Sequence, residues 1–315
     1  MAILKKAVKS LASLLLIVLF LAVLFIVGLN VAKFVIYSDY YAIESSLCKN
    51  PGLSDGFVCQ GIAAVDGQDR ILVSGYMKGG EGSRVYVTDL EDRSYYVLLH
   101  RDGVPFTGHA GGIAVTGDTV YIASEGRVYT LPLSFILNAN NGDGVNIGQG
   151  TEVNNKASFI YTDDELVYVG SFAYPEKGYE GKHEFNTAEG THVAICSAYK
   201  PDDLSVPVCV YTIRQKVQGI CFTPDGKVVM ATSYGLADSV YYVYDLDLAA
   251  NSGLTLDGAP VYYLDCAEKE VKGPAMAEGL DYFGGKVITL TESASDKYIY
   301  GKLFFAYDIV SLDLE

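Results

Sequence analysis

Tryptophan is missing from the whole of this 315-residue chain, although it holds 25 tyrosines and 13 phenylalanines. Its aromatic contacts must be made by phenyl and phenol rings. No Asn-x-Ser/Thr sequon occurs, so nothing in the sequence marks a glycosylated secretory product. The four histidines, at 100, 109, 183 and 192, show no zinc-type spacing, and no G-x-S-x-G, H-E-x-x-H or P-loop pattern is present. Those absences exclude the readily recognised hydrolases, metalloproteases and nucleotide-binding proteins. Basic charge is scarce as well: 23 Lys and Arg face 38 Asp and Glu, for a formal net charge of −15. Four of the lysines, Lys5, Lys6, Lys9 and Lys33, fall in a first stretch with no acid, so the remainder is more acidic still. Such a surface repels phosphate backbones and anionic head groups, and no nucleic-acid partner is expected.

What is present begins with an apolar run. Residues 11–31 carry no charge and are mostly Leu, Val, Ile and Phe, long enough to cross a bilayer core. Lys5, Lys6 and Lys9 precede the run, which by the positive-inside rule leaves residues 1–10 in the cytoplasm and sends everything after Lys33 outside. A cleaved signal peptide is the competing reading, but its apolar region is usually about 7 to 15 residues. The sequence divides accordingly into a transmembrane signal anchor over 11–35, a linker and closing strand over 36–56, and one domain over 57–315. The expected localisation is single-pass in the cell membrane with the domain extracellular.

All six cysteines follow the anchor, an even number in a compartment that favours disulfides. Cys196 and Cys209 lie on HVAICSAY and VPVCVYTI, two runs that read as a hairpin, and they are expected either to be bonded or to be small buried thiols. Cys48 with Cys59, and Cys221 with Cys266, are the pairs left over.

The domain is built on an echo. CQGIAAV at 59–65, AGGIAV at 110–115, ASFIYT at 157–162, VQGICFT at 217–223 and AEGLDYF at 277–283 are each followed by a polar turn and a β-rich run. Short strands repeating at this spacing are the signature of a β-propeller. The predicted fold class is therefore all-β, a five-bladed β-propeller with six blades as the alternative, preceded by a single N-terminal transmembrane helix. The echo is each blade's innermost strand, its glycines Gly61, Gly112, Gly219 and Gly279 suiting the crowded axis. Fourth strands are expected at SYYVLLH, VPVCVYTI and PVYYLDC for blades one, three and four. NANNGDGVNIGQG stands where blade two's outer strand should be, and it resembles a fragment of a calcium loop without the alternating ligands. Blade five lacks a fourth strand, and residues 40–47 are the natural donor. On that reasoning the anchor would join the face opposite the inner-strand starts.

Inner-strand starts and second-strand ends meet at the channel mouth, where loops from several blades converge on one concavity. The candidate ligand-binding residues are Gln60, Tyr76, Glu125, Ser158, Tyr174, Tyr179, Gln218 and Tyr234, with Phe172 beside them. The insertion over 173–191 reads as a lid or partner-binding loop, and the loop over 293–302 would stand next to it. Gln60 and Gln218 have an alternative role in bonding neighbouring strands. Glu278 stands apart, since a carboxylate near a narrow channel is costly unless paired, metal-bound or tuned for proton transfer. If the protein is an enzyme, Glu278, His109 and Glu292 are the candidate catalytic residues. No resident cofactor is expected and no metal ligand is assigned; Glu278, Glu125 and Glu292 converging on one cavity is the arrangement that would hold Ca²⁺. The leading expectation is a binding or scaffold module for a peptide, glycan or protein, and the alternative is a lactonase, hydrolase or cyclotransferase.

The stretch GFVCQGIAAVDG…ILVSGYMKGGEGSRVYVTDLE resembles the first blade of the five-bladed glutaminyl cyclases of plants and bacteria. That resemblance implies proton transfer by a Glu on the second blade's inner strand, whose place here is taken by Gly111. The chain also looks like the six-bladed regucalcin-type lactonases and strictosidine-synthase-like propellers, whose channel calcium would be matched only by Glu278. Pro51-Gly52-Leu53, Gln60-Gly61, residues 109–112, Ser233-Tyr234-Gly235 and Glu292-Ser293 together resemble the layout of a group of exported bacterial propellers, which implies fold and export rather than an activity.

Overall fold

The structure is a computed structural model that describes residues 1–298 and 306–314. Part of the loop expected over 293–302, and the start of the third strand of blade five, lie outside the described residues.

Five sheets form the ring, each built on an antiparallel set of blade strands. Their inner strands are Phe57–Ala64, Gly112–Thr116, Phe159–Thr162, Val217–Phe222 and Ala277–Phe283. Each packs against the next and the fifth against the first, so the ring closes. The close approach is why the echo carries glycine. A Cβ on Gly61 would stand 2.5 Å from the Ile113 nitrogen, and one on Gly279 would stand 2.9 Å from the Gln60 oxygen. Blade three breaks the rule with Phe159, and the compensation lies directly across its hairpin. Gly170 pairs with Phe159, and a Cβ there would fall 1.9 Å from the Phe159 ring.

Blade five is closed by the strand Glu44–Lys49, which pairs antiparallel with Asp308–Leu312. The closure joins the two ends of the chain as expected, but the strand starts later than residue 40. Tyr40 belongs instead to the short helix Ser38–Ile43, its ring stacked 5.8 Å from that of Tyr241. This helix reverses the expectation about the anchor. The Ile43 carbonyl accepts a hydrogen bond from Asp313, at the end of blade five away from the channel mouth, where Glu44 pairs with Leu312. Tyr37, at the other end, donates its hydroxyl to Asp238 at 2.9 Å. Asp238 directly precedes Ser239–Asp245, at the channel-mouth end of blade four. The chain therefore crosses the blade edge before the closing strand crosses back. The long helix Ala2–Ile36 stops one residue before Tyr37, and its Lys5–Ile36 stretch is long and apolar enough to span a membrane.

Two outer strands differ from the sequence reading. The NANNGDGVNIGQG stretch gives its one strand to blade one, where Gly144–Asn146 lies parallel on the edge, and Thr151–Glu152, directly after the stretch, forms blade two's outermost strand. PVYY does not complete blade four. The hairpin of Ala250–Leu256 and Ala259–Tyr263 adds to blade three, parallel to Asp203–Ile213, where Ala259 and Val261 bury against Ile195 and Val210. Blade three's long outer strand leaves an edge that this hairpin covers. Lys269–Gly273 closes blade four in its place.

All six cysteines are free thiols. Cys196 pairs with Tyr211 and Cys209 with Ala198, so the expected hairpin forms but a two-residue offset keeps the sulfurs from facing each other. Of the two alternatives for this pair, the disulfide is not made, and the thiols are buried at Cys196 and half-buried at Cys209.

Candidate functional site

Backbone irregularity delivers the polar side chains. The pairing of inner and second strands slips between Cys59 and Gly61, between Val217 and Gly219, and between Ala277 and Leu280. Gln60, Gln218 and Glu278 occupy those bulges, and a bulge re-aims its side chain out of the ladder. Ala110, Ala157, Lys216 and Met276, each at or before an inner strand's entry, have positive φ of 46°, 48°, 68° and 67°. Such strain in non-glycine residues clusters at sites the surrounding structure holds rigidly.

The result is a cavity of about 540 Å³ at the channel mouth. It is lined by Gln60, Tyr76, His109, Glu125, Ser158, Phe172, Tyr179, Gln218, Tyr234, Glu278 and Glu292, drawn from all five blades. Tyr174 is not among them. It stands behind the wall, edge-on to Tyr234 at 5.0 Å, and lines a neighbouring cavity with Glu189 and Arg214. Sequence reasoning missed Lys297, Tyr298, Lys156, Met276 and Ser233, which also line the main cavity. Lys297 and Tyr298 fall in the loop flagged after Glu292, but a lysine and a tyrosine in a polar loop give no further signal. Ser233 is 2 % exposed and its hydroxyl has no partner among the described residues.

Glu278 and Glu292 dominate the electrostatics. Glu278 is 3 % exposed, and its one side-chain hydrogen bond among the described residues comes from Gln218 Nε2 to Oε1 at 3.3 Å. Burial first, and the neighbouring Glu292 second, push its carboxyl well above the usual range. Burial raises Glu292 too, while Tyr298, Lys297 and Gln60 pull it back; Gln60 Nε2 donates to Oε2 at 2.9 Å. The two acids titrate as a pair, so at neutral pH they hold fewer than two negative charges. Lys297 donates to the Tyr76 hydroxyl and lies 4.6 Å from that ring. His109 also packs on Tyr76, with ring centroids 4.6 Å apart, and partial burial and Lys297 hold its pKa below the ordinary histidine value.

The far wall is aromatic. Phe172, Tyr179 and Tyr234 contact one another, with centroids 5.4 to 6.4 Å apart. Tyr179 comes from the 173–191 insertion, which contains the hairpin Phe185–Thr187 and Gly190–His192 and is clamped rather than free. Glu189 accepts hydrogen bonds from Arg214 at 2.7 Å, the Tyr244 hydroxyl at 3.1 Å and the Cys266 amide at 3.2 Å, and its other contact is His192 at 2.9 Å. Among the described residues no group of three or more His, Cys, Asp or Glu is arranged to hold a metal ion, so Glu125 does not join the glutamate pair in a cation cage.

Fold and cavity together define a five-bladed β-propeller with one apolar N-terminal helix and a polar site at its channel mouth. No family model and no curated protein matches the chain. It is similar to the PQQ-bound aldose sugar dehydrogenase of Streptomyces coelicolor at 16% identity and TM-score 0.45, over 79% of this chain and 77% of that one. A putative oxidoreductase (glucose dehydrogenase) from Thermus thermophilus is similar at 11% identity and TM-score 0.46, over 86% and 99%. BamB from Moraxella catarrhalis is similar at 9% identity and TM-score 0.32, over 82% and 83%. These likenesses concern the fold, and they assign no activity.

Proposed function

We propose that the cavity takes one end of a small polar ligand, a peptide terminus, a sugar or a lactone, and that Glu278 and Glu292 act on it as general acid and base. One observation carries this reading: a buried carboxyl, Glu278, and a half-buried one, Glu292, both of raised pKa, line the same open, ligand-sized cavity. A singly protonated pair can donate a proton to a leaving group or carbonyl and accept one from a nucleophile. Lys297 supplies positive charge beside Glu292. His109, kept neutral, offers an acceptor at the mouth, and the free Ser233 hydroxyl a further hydrogen bond. Tyr76, Phe172, Tyr179 and Tyr234 form walls that exclude water and orient an apolar face. A flat docking module would not need a nearly unpaired glutamate in its floor. The lysines before the apolar run support an anchored protein with the propeller outside the cell.

Purified protein is assayed against N-terminal glutaminyl peptides, lactones and aryl glycosides, with pH profiles for wild type, Glu278→Gln and Glu292→Gln. Turnover of one class is expected, lowered about 100-fold or more in each variant and declining above neutrality as the second carboxyl ionises. Unimpaired turnover in Glu278→Gln, or none with any class, removes the acid–base role.

A further inference from the structure

The position of the anchor relative to the cavity defines the kind of ligand that can reach it. We propose that the cavity mouth faces the bilayer and receives the polar head group of a membrane-borne lipid, whose chains stay in the membrane. This rests on the cavity being the functional site, as argued above. The membrane-spanning helix ends at Ile36, and Tyr37, the next residue, is already bonded to Asp238. No linker separates anchor from propeller. Asp238 belongs to the loop between Lys227–Thr232 and Ser239–Asp245, which also supplies Ser233, Tyr234 and Gly235 to the cavity. The anchor is thus pinned to the cavity rim rather than to the back of the ring. The helix Ser38–Ile43 then runs from that rim to the far face, with the ring of Tyr40 packed on Gly273 at the rim end. A spanning helix that reaches the domain at its rim brings the head-group region to the rim as well.

The rim is suited to that contact. Leu236, between Tyr234 and Asp238, is 58% exposed, and Tyr179 is 46% exposed. Phe34, Tyr37 and Tyr41 sit at the helix end, where aromatic side chains favour the interface. Although the chain is acidic overall, Lys156 and Lys297 line the cavity, so basic groups border the mouth. A phosphate- or sugar-bearing head group of modest size fits this lining, with cations at the entrance and carboxyls at the floor.

The absence of native tryptophan makes the test direct. Single reporters are placed in the full chain by Leu236→Trp at the rim, Tyr179→Trp at the cavity wall and Leu248→Trp on the opposite side of blade four, where Leu248 is 66% exposed. Each variant is reconstituted into phosphatidylcholine vesicles containing lipids brominated along their acyl chains. Emission of Leu236→Trp should fall at least twofold relative to unbrominated vesicles, that of Tyr179→Trp measurably, and that of Leu248→Trp not at all. Quenching at Leu248 equal to or above that at Leu236, or none at both rim and wall, overturns the proposal. The readout needs no turnover, so an inactive Glu278→Gln with the expected quenching pattern speaks only to the chemistry.

Discussion

Replacing Glu189 by Gln should loosen the insertion that carries Tyr179, by an amount the structure allows to be worked out. Burial alone would raise this carboxyl's pKa, but the hydrogen bond with His192 and the Arg214 guanidinium outweigh it and hold it down at about 2. Against an ordinary value of 4.5, the difference is worth about 3 kcal/mol at 1.36 kcal/mol per unit. Partial exposure, 15% for Glu189 and 22% for Arg214, reduces this to about 2 kcal/mol through solvent screening. A folded-state pKa below the unfolded one means the contribution is complete above pH 4.5 and lost as the pH falls through 2. Glutamine keeps an acceptor for Tyr244 and the Cys266 amide but leaves the Arg214 charge uncompensated; the guanidinium retains its stacking on Tyr242 at 3.5 Å and the neutral hydrogen bond from Nε to the Tyr244 hydroxyl at 2.7 Å. Thermal melts of wild type and variant should differ by roughly 4–8 °C at pH 7, and the gap should close between pH 4.5 and 2. A gap under about 1 °C at pH 7, or one that persists unchanged down to pH 2, would refute the assignment of Glu189 as the charge that clamps the insertion.

The glutamate pair behaves in the opposite sense. Both folded-state pKa values are raised, so ionisation costs stability as the pH rises above the unfolded carboxylate range, and Glu278→Gln should melt at or above the wild-type temperature at pH 8 while showing little difference near pH 4. A lower melting temperature at pH 8 would mean that Glu278 is a structural pillar. At the blade-three hairpin, Gly170→Ala should destabilise by about 2 kcal/mol or more through overpacking against the Phe159 ring, and most of that cost should vanish when Phe159→Ala is present; additive urea-unfolding losses would deny the coupling. Thiol titration of the denatured, unreduced protein should count six, with Cys266 alone reacting quickly in the native state because it alone is exposed. A count of four would restore one disulfide.

Much of the architecture was legible because its causes are local. The glycines of the echo are demanded by backbones meeting at the axis, and the nearly continuous burial of the inner and second strands shows in the sequence as largely apolar runs. Hence the inner strands fall within a few residues of the expected segments, and blade five closes with N-terminal chain. The gathering of Gln60, Gln218 and Glu278 was legible for the same reason, since equivalent places in a repeat meet at one end of a ring. Outer strands were less legible. PVYY has the pattern of any half-buried strand, and only the uncovered edge of blade three explains why it pairs there.

Composition and periodicity by themselves determined an apolar helix, a ring of five sheets and the rim on which polar residues gather, since each follows from contacts between near neighbours or from the repeat. The tertiary structure alone decided that Lys297 and Tyr298 stand beside Glu292, that Cys196 and Cys209 miss each other, and that Tyr37 reaches Asp238 at the cavity side. Only the last of these joins residues far apart in the chain; the others turn on the path of a loop and the offset of a hairpin, and no local pattern encodes any of the three.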